Sequence, residues 1–333
     1  MQTDLVPTST AARREKAVRR AVELLRKGDV VALPTETVYG LAANALNPIA
    51  VAKIFEAKKR PRFDPLIVHL PNREWLERIV HLPAGDRQLI GELADKFWPG
   101  PLTIVLPKHE IVPDIVTAGL DTVAVRISAH PVFAEIVGEL DEPLAAPSAN
   151  RFGRLSPTTA QHVFDELDGR IPLIVDAGPT EHGIESTIVA IRDGRIAVLR
   201  RGAITEEQLP EFADIVCTAF TDKVSSPGQL PSHYAPTTPL RLIDNAEAFP
   251  LQKNQRVGLL AWKPRRSGDR RSLKFAAVRN LSERGDLREA AANLFRYLRE
   301  LDALGLDLIV AERVPLDGLG AAIMDRLERA SHR

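Results

Sequence analysis

The stretches VVALPTETVYGLA (residues 30–42) and KKRPRFDPLIVHL (residues 58–70) decide the fold class of this chain. Val30–Leu33 and Leu66–Leu70 are short apolar runs of the kind that form buried strands. Between them, the pair Asn47–Pro48 marks the start of a helix, with a capping side chain followed by proline at the first helical position. This strand–helix–strand order predicts an α/β sheet, whose strand-end loops are the usual places for functional sites.

The helix of this unit ends in a basic cluster that Pro61 interrupts, formed by Lys58, Lys59, Arg60 and Arg62. A solvated helix end would explain the cluster if it stood alone. Here it accompanies a loop with hydroxyl side chains, Thr35 and Thr37, that leaves the first strand. Fixed cations beside a hydroxyl-rich loop suit a polyanion such as ATP, with a smaller polar substrate next to it.

Composition excludes several classes of protein. A chain of 333 residues predicts about two domains. Its 44 Lys and Arg balance 44 Asp and Glu, so no global positive field favours nucleic acid. The single cysteine, Cys217, excludes an intrachain disulfide and a cysteine-rich metal site. Without a long apolar run or a signal-like first segment, we expect a cytoplasmic protein.

Apolar periodicity predicts further helices and strands in both halves of the chain. We expect residues 1–9 to be frayed and a capped helix to span residues 10–27. We also expect helices at residues 156–167 and 203–209, and a hairpin that turns at residues 193–194.

A proline-rich segment at residues 225–239 marks the domain boundary, because proline at this density prevents helix and most sheet pairing. We place the first domain at residues 10–217, a linker at 218–239 and a second domain at 240–333. The second domain alternates strand and helix patterns, which predicts a small parallel α/β unit. It lacks the glycine-rich phosphate-binding motifs, so a nucleotide site there is unsupported.

Nine sequence motifs together resemble one family, the YrdC-like threonylcarbamoyl-AMP synthases in their two-domain form. In chain order they are P-T-E-T-V-Y-G-L (34–41), K-x-R-P (58–61), W-P-G-P-L-T (98–103), V-A-V-R-I (123–127), A-P-S-A-N-x-x-G (146–153), G-I-E-S-T-I-V (183–189), L-R-x-G-A-I-T (199–205), P-G-x-x-x-x-H-Y-A-P (227–236) and G-L-G-A-A-I-M-D-R-L (318–327). The resemblance implies a YrdC-like twisted open mixed sheet with helices, followed by a smaller C-terminal Rossmann-like parallel α/β domain.

The resemblance also implies a reaction. L-threonine, bicarbonate and ATP would give threonylcarbamoyl-AMP and pyrophosphate, the activated precursor of threonylcarbamoyladenosine next to the anticodon in tRNA. It implies Mg²⁺ bound mainly through the ATP phosphates, with no metal ligands fixed by the sequence. The expected partners are the three substrates and tRNA threonylcarbamoyl-transferase proteins that receive the product. We expect a monomer with weak or no direct nucleic-acid binding and no membrane contact.

Site residues follow from the same resemblance, motif by motif. Those implied for L-threonine are Thr37, His69, Arg126, Ala146 and Ser186. Those implied for ATP are Arg60, Asp64, Thr122, Ser148, Ser156, Arg200 and Tyr234. A catalytic set of Lys58, Arg60, Ser148 and Asn150 shares these motifs. Taken alone, most of these residues would have ordinary structural roles such as capping a helix or closing a turn.

Three positions depart from the family pattern, and the linker carries one further hypothesis. Asp64 stands where many members have Asn, while Ser128 and Arg201 each replace a proline. His233 and Tyr234 stand side by side in the linker, which a spacer does not need. We therefore expect the linker to fold over the first domain with Tyr234 reaching the nucleotide, as a lid that excludes water.

Two alternative functions remain open at this point. One is a carbamoyl-AMP-forming carbamoyltransferase, although such proteins carry extra zinc-finger and acylphosphatase-like segments that this chain lacks. The other is a non-catalytic module for double-stranded RNA, which the basic clusters at residues 58–62 and 265–271 would permit. Zero net charge and an aromatic content of 5% count against the RNA module.

Overall fold

The computed structural model describes residues 2–61, 63–216, 234–263 and 274–332 of the chain. The expectations placed on Arg62, Cys217, His233, most of the linker and the basic cluster at residues 265–271 lie outside the described residues.

A mixed sheet organises the first part of the chain, with eleven strands among the residues that the structure describes. Its strands are β1 (Asp4–Pro7), β2 (Val31–Leu33), β3 (Gly40–Asn44), β4 (Ile67–His69), β5 (Leu102–Pro107), β6 (Thr122–Arg126), β7 (Leu144–Ala145), β8 (Leu173–Asp176), β9 (Thr187–Arg192), β10 (Arg195–Arg200) and β11 (Ile215–Val216). Their spatial order is β1-β8-β2-β3-β7-β4-β6-β5-β9-β10-β11.

Pairing within this sheet places the predicted site residues. The strands β2 and β3 pair antiparallel, so the loop that carries Thr35 and Thr37 is the connection of a hairpin. The strands β4 and β6 pair parallel with His69 opposite Arg126. The hairpin predicted at Asp193–Gly194 is confirmed, because β9 and β10 pair antiparallel and both turn residues have positive φ.

Helices cover the sheet and bury its two faces in separate cores. They are α1 (Ala11–Arg26), α2 (Pro48–Lys58), α3 (Leu76–Ile79), α4 (Arg87–Phe97), α5 (Asp114–Thr117), α6 (Pro131–Leu140) and α7 (Ala160–Leu167). Along β2, Val31 and Leu33 join the core under α1 and α6, while Ala32 faces the larger core on the other side. This alternation is the period of two that a strand imposes, applied to a strand whose faces are both apolar.

Two helix starts confirm the capping predictions. The Thr10 hydroxyl accepts the backbone N–H of Arg13 at the start of α1. The Asn47 side chain accepts from Ile49 and Ala50, with Pro48 at the first position of α2. Each cap satisfies N–H groups that the first turn of a helix leaves without partners.

The C-terminal part forms a second sheet whose four strands among the described residues are all parallel. Its elements are β12 (Leu240–Ile243), β13 (Val257–Ala261), β14 (Ala277–Asn280), α8 (Leu287–Asp302), β15 (Leu308–Glu312) and α9 (Leu319–Ser331), with strand order β12-β15-β13-β14. The predicted fold class, a mixed sheet followed by a smaller parallel α/β domain, is confirmed. Across the described residues, no helix has both the length and the apolar composition that crossing a membrane requires.

The chain divides into two compact units. The first comprises the described part of Met1–Phe152, Pro157–Glu181 and Glu185–Gln229. The second comprises Gly153–Ser156, His182–Ile184 and the described part of Leu230–Arg333. The exact extent of the linker stays a prediction, since residues 217–233 are not described.

Some expected element boundaries are wrong. Residues 4–7, expected to be frayed, form β1 and pair with β8. The helix expected from residue 156 begins only at Ala160, because Thr159 caps it by accepting the N–H of His162. The helix expected at residues 203–209 is reduced to one 3₁₀ turn, Glu206–Gln208, closed by a capping box from Thr205.

Candidate active site

The loop between β2 and β3 is tightly ordered by its own side chains. The Thr35 hydroxyl accepts the backbone N–H groups of Thr37 and Val38 at 3.1 and 3.2 Å and lies 2.6 Å from the Val38 carbonyl oxygen. It also lies 2.8 Å from the Thr37 hydroxyl. Such a local turn fixes the position of Thr37, which is 2% exposed.

Arg126 ends β6 and reaches this loop as a buried cation. Its side chain is 3% exposed. One terminal nitrogen, Nη2, donates to Glu36 Oε1 at 2.8 Å, and the other, Nη1, donates to Thr37 Oγ1 at 3.3 Å. The remaining donor, Nε, has no hydrogen-bond partner among the described residues. Two predicted threonine-binding residues, Thr37 and Arg126, therefore lie in direct contact.

Glu36 neutralises Arg126 and is held from its other side. The Ser128 hydroxyl donates to Glu36 Oε2, so both carboxylate oxygens have partners. Burial opposes ionisation, yet Arg126 and the hydrogen bond from Ser128 lower the pKa of Glu36 below its ordinary value. Glu36 therefore stays ionised near neutral pH inside the predicted threonine site.

His69 lies beside Arg126 as a neutral group. It ends β4, is 3% exposed, and its ring centroid lies 4.8 Å from that of Phe133. Burial, and after it the charge of Arg126, hold the pKa of His69 well below its ordinary value of 6.5. Its Nδ1 has no hydrogen-bond partner within the described part of the chain. A buried ring nitrogen of this kind is available to a polar ligand.

Ser186 and Arg200, predicted for threonine and ATP respectively, are in contact. Arg200 Nη2 donates to the Ser186 hydroxyl and to its carbonyl oxygen, both at 3.0 Å. The Ser186 hydroxyl also lies 2.8 Å from that of Thr103. The chain passes closely here, since a Cβ on Gly202 would lie 2.4 Å from the Glu185 carbonyl oxygen. The glycine of the L-R-x-G motif thus permits the approach that joins Ser186 to Arg200.

Lys58 fixes the turn that carries Ser148 and Asn150. Its ammonium donates to the carbonyl oxygens of both residues, and its own carbonyl accepts the N–H of Phe152 at 2.9 Å. Burial, with Arg60 adding to it, holds the pKa of Lys58 well below its ordinary value. Lys58 therefore supports the loop of the A-P-S-A-N motif directly.

Arg60 is held by the residues that follow it. Its Nη2 lies 2.8 Å from Asp64 Oδ2 and donates to the Pro65 carbonyl oxygen at 2.9 Å, and its Nε donates to the Asp64 carbonyl oxygen at 3.3 Å. Asp64, the departure from the common Asn, is thus paired with the cation expected for phosphate. Burial raises the pKa of Asp64, against the opposing effects of Arg60, Lys58 and Arg200. Arg200 therefore acts electrostatically on the same carboxylate as Arg60.

Three further residues are predicted for ATP. Thr122 begins β6 and Arg126 ends it, so Thr122 lies about 13 Å along the strand from Arg126 at ordinary strand rise. Ser156 and Tyr234 belong to the second unit. There the Tyr234 ring packs on Phe295 with centroids 5.5 Å apart. The roles of all three in ATP binding stay predictions.

The sequence reasoning missed residues that complete these groups. Glu36 holds Arg126, Ser128 holds Glu36, and Thr103 holds Ser186. Ala146, predicted for threonine, donates its backbone N–H to the Ile67 carbonyl oxygen at 3.0 Å. Glu36 left one signal in the sequence, because a carboxylate between two threonines in an otherwise apolar stretch requires a cation when it is buried.

Comparisons with known proteins agree with the motifs. Residues 23–202 match the Sua5/YciO/YrdC family model, described as "Telomere recombination". Residues 204–332 match the model of the threonylcarbamoyl-AMP synthase C-terminal domain.

Relatives match over nearly their whole length. A threonylcarbamoyl-AMP synthase of Pyrococcus abyssi is 40% identical, with 95% of this chain and 94% of the relative covered. One of Bacillus subtilis is 41% identical, with 97% and 95% covered. The crystal structure of P. abyssi Sua5 complexed with L-threonine superposes with a TM-score of 0.86 at 36% identity, covering 99% of this chain and 98% of that one. The predicted resemblance is confirmed: this chain is an enzyme that belongs to the threonylcarbamoyl-AMP synthase family.

Proposed function

We propose that the chain condenses L-threonine, bicarbonate and ATP into threonylcarbamoyl-AMP, with release of pyrophosphate. The observation that carries this proposal is the buried Arg126 in contact with Thr37 and beside His69, in a chain similar throughout its length to synthases of this name. Guanidinium binds carboxylate by paired, charge-assisted hydrogen bonds, which suits an amino acid.

Threonine binds to this group through its carboxylate and its polar atoms. Arg126 offers Nε, and His69 offers a neutral ring nitrogen, neither of which has a partner among the described residues. The Thr37 hydroxyl lies 3.3 Å from Arg126 and can share a ligand with it. Ala146 and Ser186 complete the set that we assign to L-threonine.

ATP binds to the cations and hydroxyls of the other groups. Arg60 and Arg200 supply positive charge, and Ser148 and Asn150 lie on the turn that Lys58 holds. We also assign Asp64, Thr122, Ser156 and Tyr234 to ATP, as the resemblance implies. Positive charge near the phosphates stabilises the charge that develops as pyrophosphate leaves.

The reaction proceeds through two bond-forming steps. The neutral amine of threonine attacks the bicarbonate carbon, and one amine proton leaves with a bicarbonate hydroxyl group as water, which gives a carbamate. A carbamate oxygen then attacks the α-phosphorus of ATP, and the bond to the pyrophosphate oxygen breaks. The protein's residues act by holding three reactants together and by neutralising phosphate charge, so this reaction needs no protein nucleophile.

Mg²⁺ enters this proposal as a companion of ATP. The described residues contain no group of three or more His, Cys, Asp or Glu side chains placed to hold a metal ion. Phosphate oxygens and water are the ligands that Mg²⁺ prefers with nucleotides. When bound in this way, the ion would neutralise phosphate charge alongside Arg60.

The product is a mixed anhydride that a tRNA threonylcarbamoyl-transferase would consume. We place the enzyme in the cytoplasm, together with that transferase. The test of the function is pyrophosphate release measured with each of L-threonine, bicarbonate and ATP omitted in turn. We expect release only when all three are present. Equal release without threonine would overturn the proposal.

A further inference from the structure

Glu36 is a buried carboxylate at the predicted threonine site to which the reaction assigns no role. It is 4% exposed and lies between Thr35 and Thr37 in the loop after β2. Its partners come from the end of β6 and the residues after it, Arg126 and Ser128. Arg126, which we assign to the substrate carboxylate, is thus already in contact with one carboxylate of the protein, that of Glu36.

A buried ion pair by itself explains little about why Glu36 is present. Removing two charges from water offsets most of their mutual attraction, so such a pair contributes little to stability compared with apolar residues of similar size. Its geometric effect is larger, because a guanidinium has a fixed plane and its donors point in fixed directions. Residues that occupy some of those donors decide where the others point.

Adjacent loop residues occupy the two ends of the Arg126 guanidinium. Glu36 accepts from Nη2 at 2.8 Å and Thr37 accepts from Nη1 at 3.3 Å. Ser128 in turn holds the other Glu36 oxygen, so the carboxylate cannot rotate without losing that bond. The Nε donor has no partner among the described residues.

We propose that Glu36 is a positioning residue, which orients the Arg126 guanidinium so that its Nε donor is presented to the carboxylate of the amino-acid substrate. This inference rests on the proposed function, because it requires the substrate carboxylate to bind Arg126. Glu36 acts through Arg126 and makes no contact with the substrate. Ser128 supports it by fixing the second oxygen.

The test compares L-threonine with L-threoninamide, which lacks the carboxylate charge, by isothermal titration calorimetry on the full chain. The wild-type protein should bind L-threonine much more tightly than the amide, and the ratio of the two dissociation constants reports the carboxylate–Arg126 contact. In Glu36→Gln this preference for L-threonine should fall about tenfold, because a misoriented Arg126 guanidinium makes a weaker charge-assisted hydrogen bond to the substrate carboxylate. ATP affinity should stay within about twofold of wild type.

The matched variant is Ser128→Ala, which removes one bond to Glu36 and keeps the ion pair. Its threonine-to-amide ratio should fall by about threefold or less, in line with one neutral hydrogen bond. General damage to the fold would weaken L-threonine and its amide equally and leave their ratio unchanged. Thermal unfolding of each variant with and without ATP then shows whether it is folded.

The outcomes separate this inference from the function on which it rests. If the wild-type protein does not prefer L-threonine over the amide, the threonine-binding role of Arg126 fails. If the wild-type protein shows the preference and folded Glu36→Gln keeps it, the positioning role of Glu36 alone is overturned. Tighter threonine binding by Glu36→Gln would also overturn it, since Glu36 would then only compete with the substrate for Arg126.

Discussion

Arg60 and Arg126 are two buried arginines of the same unit, each 2.8 Å from a carboxylate oxygen, but they obtain their partners differently. Arg60 pairs with the carboxylate of Asp64, four residues further along the chain, and donates to the backbone carbonyl oxygens of Asp64 and Pro65. Arg126 pairs with Glu36, 90 residues away in sequence, through the folding of the whole sheet. The first geometry depends on one turn of chain, while the second depends on the register of several strands.

The two carboxylates also respond in opposite ways to similar ion pairs. The pKa of Asp64 is raised by burial, whereas the pKa of Glu36 is lowered although burial opposes it. Glu36 accepts hydrogen bonds from Ser128 and Arg126, while neither carboxylate oxygen of Asp64 has a hydrogen-bond partner with good geometry among the described residues. Hydrogen bonding to the charged form thus decides the direction of the pKa shift when the pairing distance is the same.

The largest expected effect comes from Arg126→Ala, which breaks the long-range pair. Threonine affinity should fall by about a hundredfold, the upper range for a lost charge-assisted hydrogen bond. The free energy of unfolding should fall by roughly 3–5 kcal/mol, because Glu36 would be a buried charge without its partner. ATP affinity, measured by calorimetry, should change by less than about twofold.

A double variant separates these two losses. Arg126→Ala combined with Glu36→Gln removes both charges, so stability should recover while threonine binding stays lost. Chemical denaturation and calorimetry measure the two quantities on the same sample. Normal threonine binding by the single variant would show that Arg126 is only a structural cation.

The second effect comes from Arg60→Ala, which breaks the local pair. ATP affinity should fall by about tenfold or more, because a charge-assisted contact with phosphate is lost. Threonine affinity should stay nearly unchanged, because we assign Arg60 to ATP and not to threonine. Lys59→Asn is the matched control, since Lys59 is exposed and has positive φ, a conformation that asparagine tolerates. If Lys59→Asn lowers ATP affinity as much as Arg60→Ala does, the basic cluster acts as diffuse surface charge. The contrast between the local Arg60 pair and the long-range Arg126 pair then fails.

How much the sequence could predict follows the same division between local and distant contacts. Asn47 and Pro48 predict the start of α2, and Asp193–Gly194 predicts the turn of its hairpin, because each structure is determined by a few neighbouring residues. The contact between Glu36 and Arg126 depends on a sheet order that no short pattern encodes. The motif resemblance implied Arg126 as a site residue, but it could not show that the Arg126 guanidinium already donates a hydrogen bond to Glu36.

The same physics explains two strands that were not predicted. Residues 40–44, GLAAN, have poor strand propensity and become β3 because they pair with β2 and β7. Residues 4–7 become β1 because β8 offers a parallel edge far along the chain. Tertiary pairing therefore overrides local preference at both places, as it does for the Arg126 pair.

The third effect is smaller and sharpens the contrast between the two carboxylates. Asp64→Asn should raise ATP affinity by about threefold, because it removes a negative charge that competes with phosphate for Arg60. A carboxyl group with a raised pKa favours the folded state most when it is protonated, and asparagine resembles that form. The variant should therefore gain stability relative to wild type at neutral pH, and this gain should shrink as the pH falls through the pKa of Asp64.

Parallel titrations of ATP and L-threonine test this prediction, with urea denaturation at neutral and acidic pH for stability. Threonine affinity should not change. A loss of ATP affinity in Asp64→Asn would mean that the carboxylate orients Arg60 as we propose for Glu36 and Arg126. The two pairs would then be equivalent despite their different origins.

The smallest expected effect distinguishes the two arginine groups by pH, through His69. This ring lies beside Arg126, and burial holds its pKa well below the ordinary value of 6.5. The unfolded chain therefore takes up a proton on His69 as the pH falls through 6.5, while the folded protein does not, so stability is full above that pH and decreases below it. Between about pH 7.5 and about pH 5.5 this one group should remove about 1 kcal/mol from the free energy of unfolding.

His69→Gln cannot titrate, so denaturation curves of the variant should show a correspondingly smaller loss of stability over the same pH range. The pKa of His130 is also lowered, so His130 accounts for part of the loss that remains in the variant. Equal losses in both proteins would mean that His69 takes up its proton over the same pH range in the folded and unfolded states, and the neutral ring nitrogen that we assign to threonine would then be absent at acidic pH.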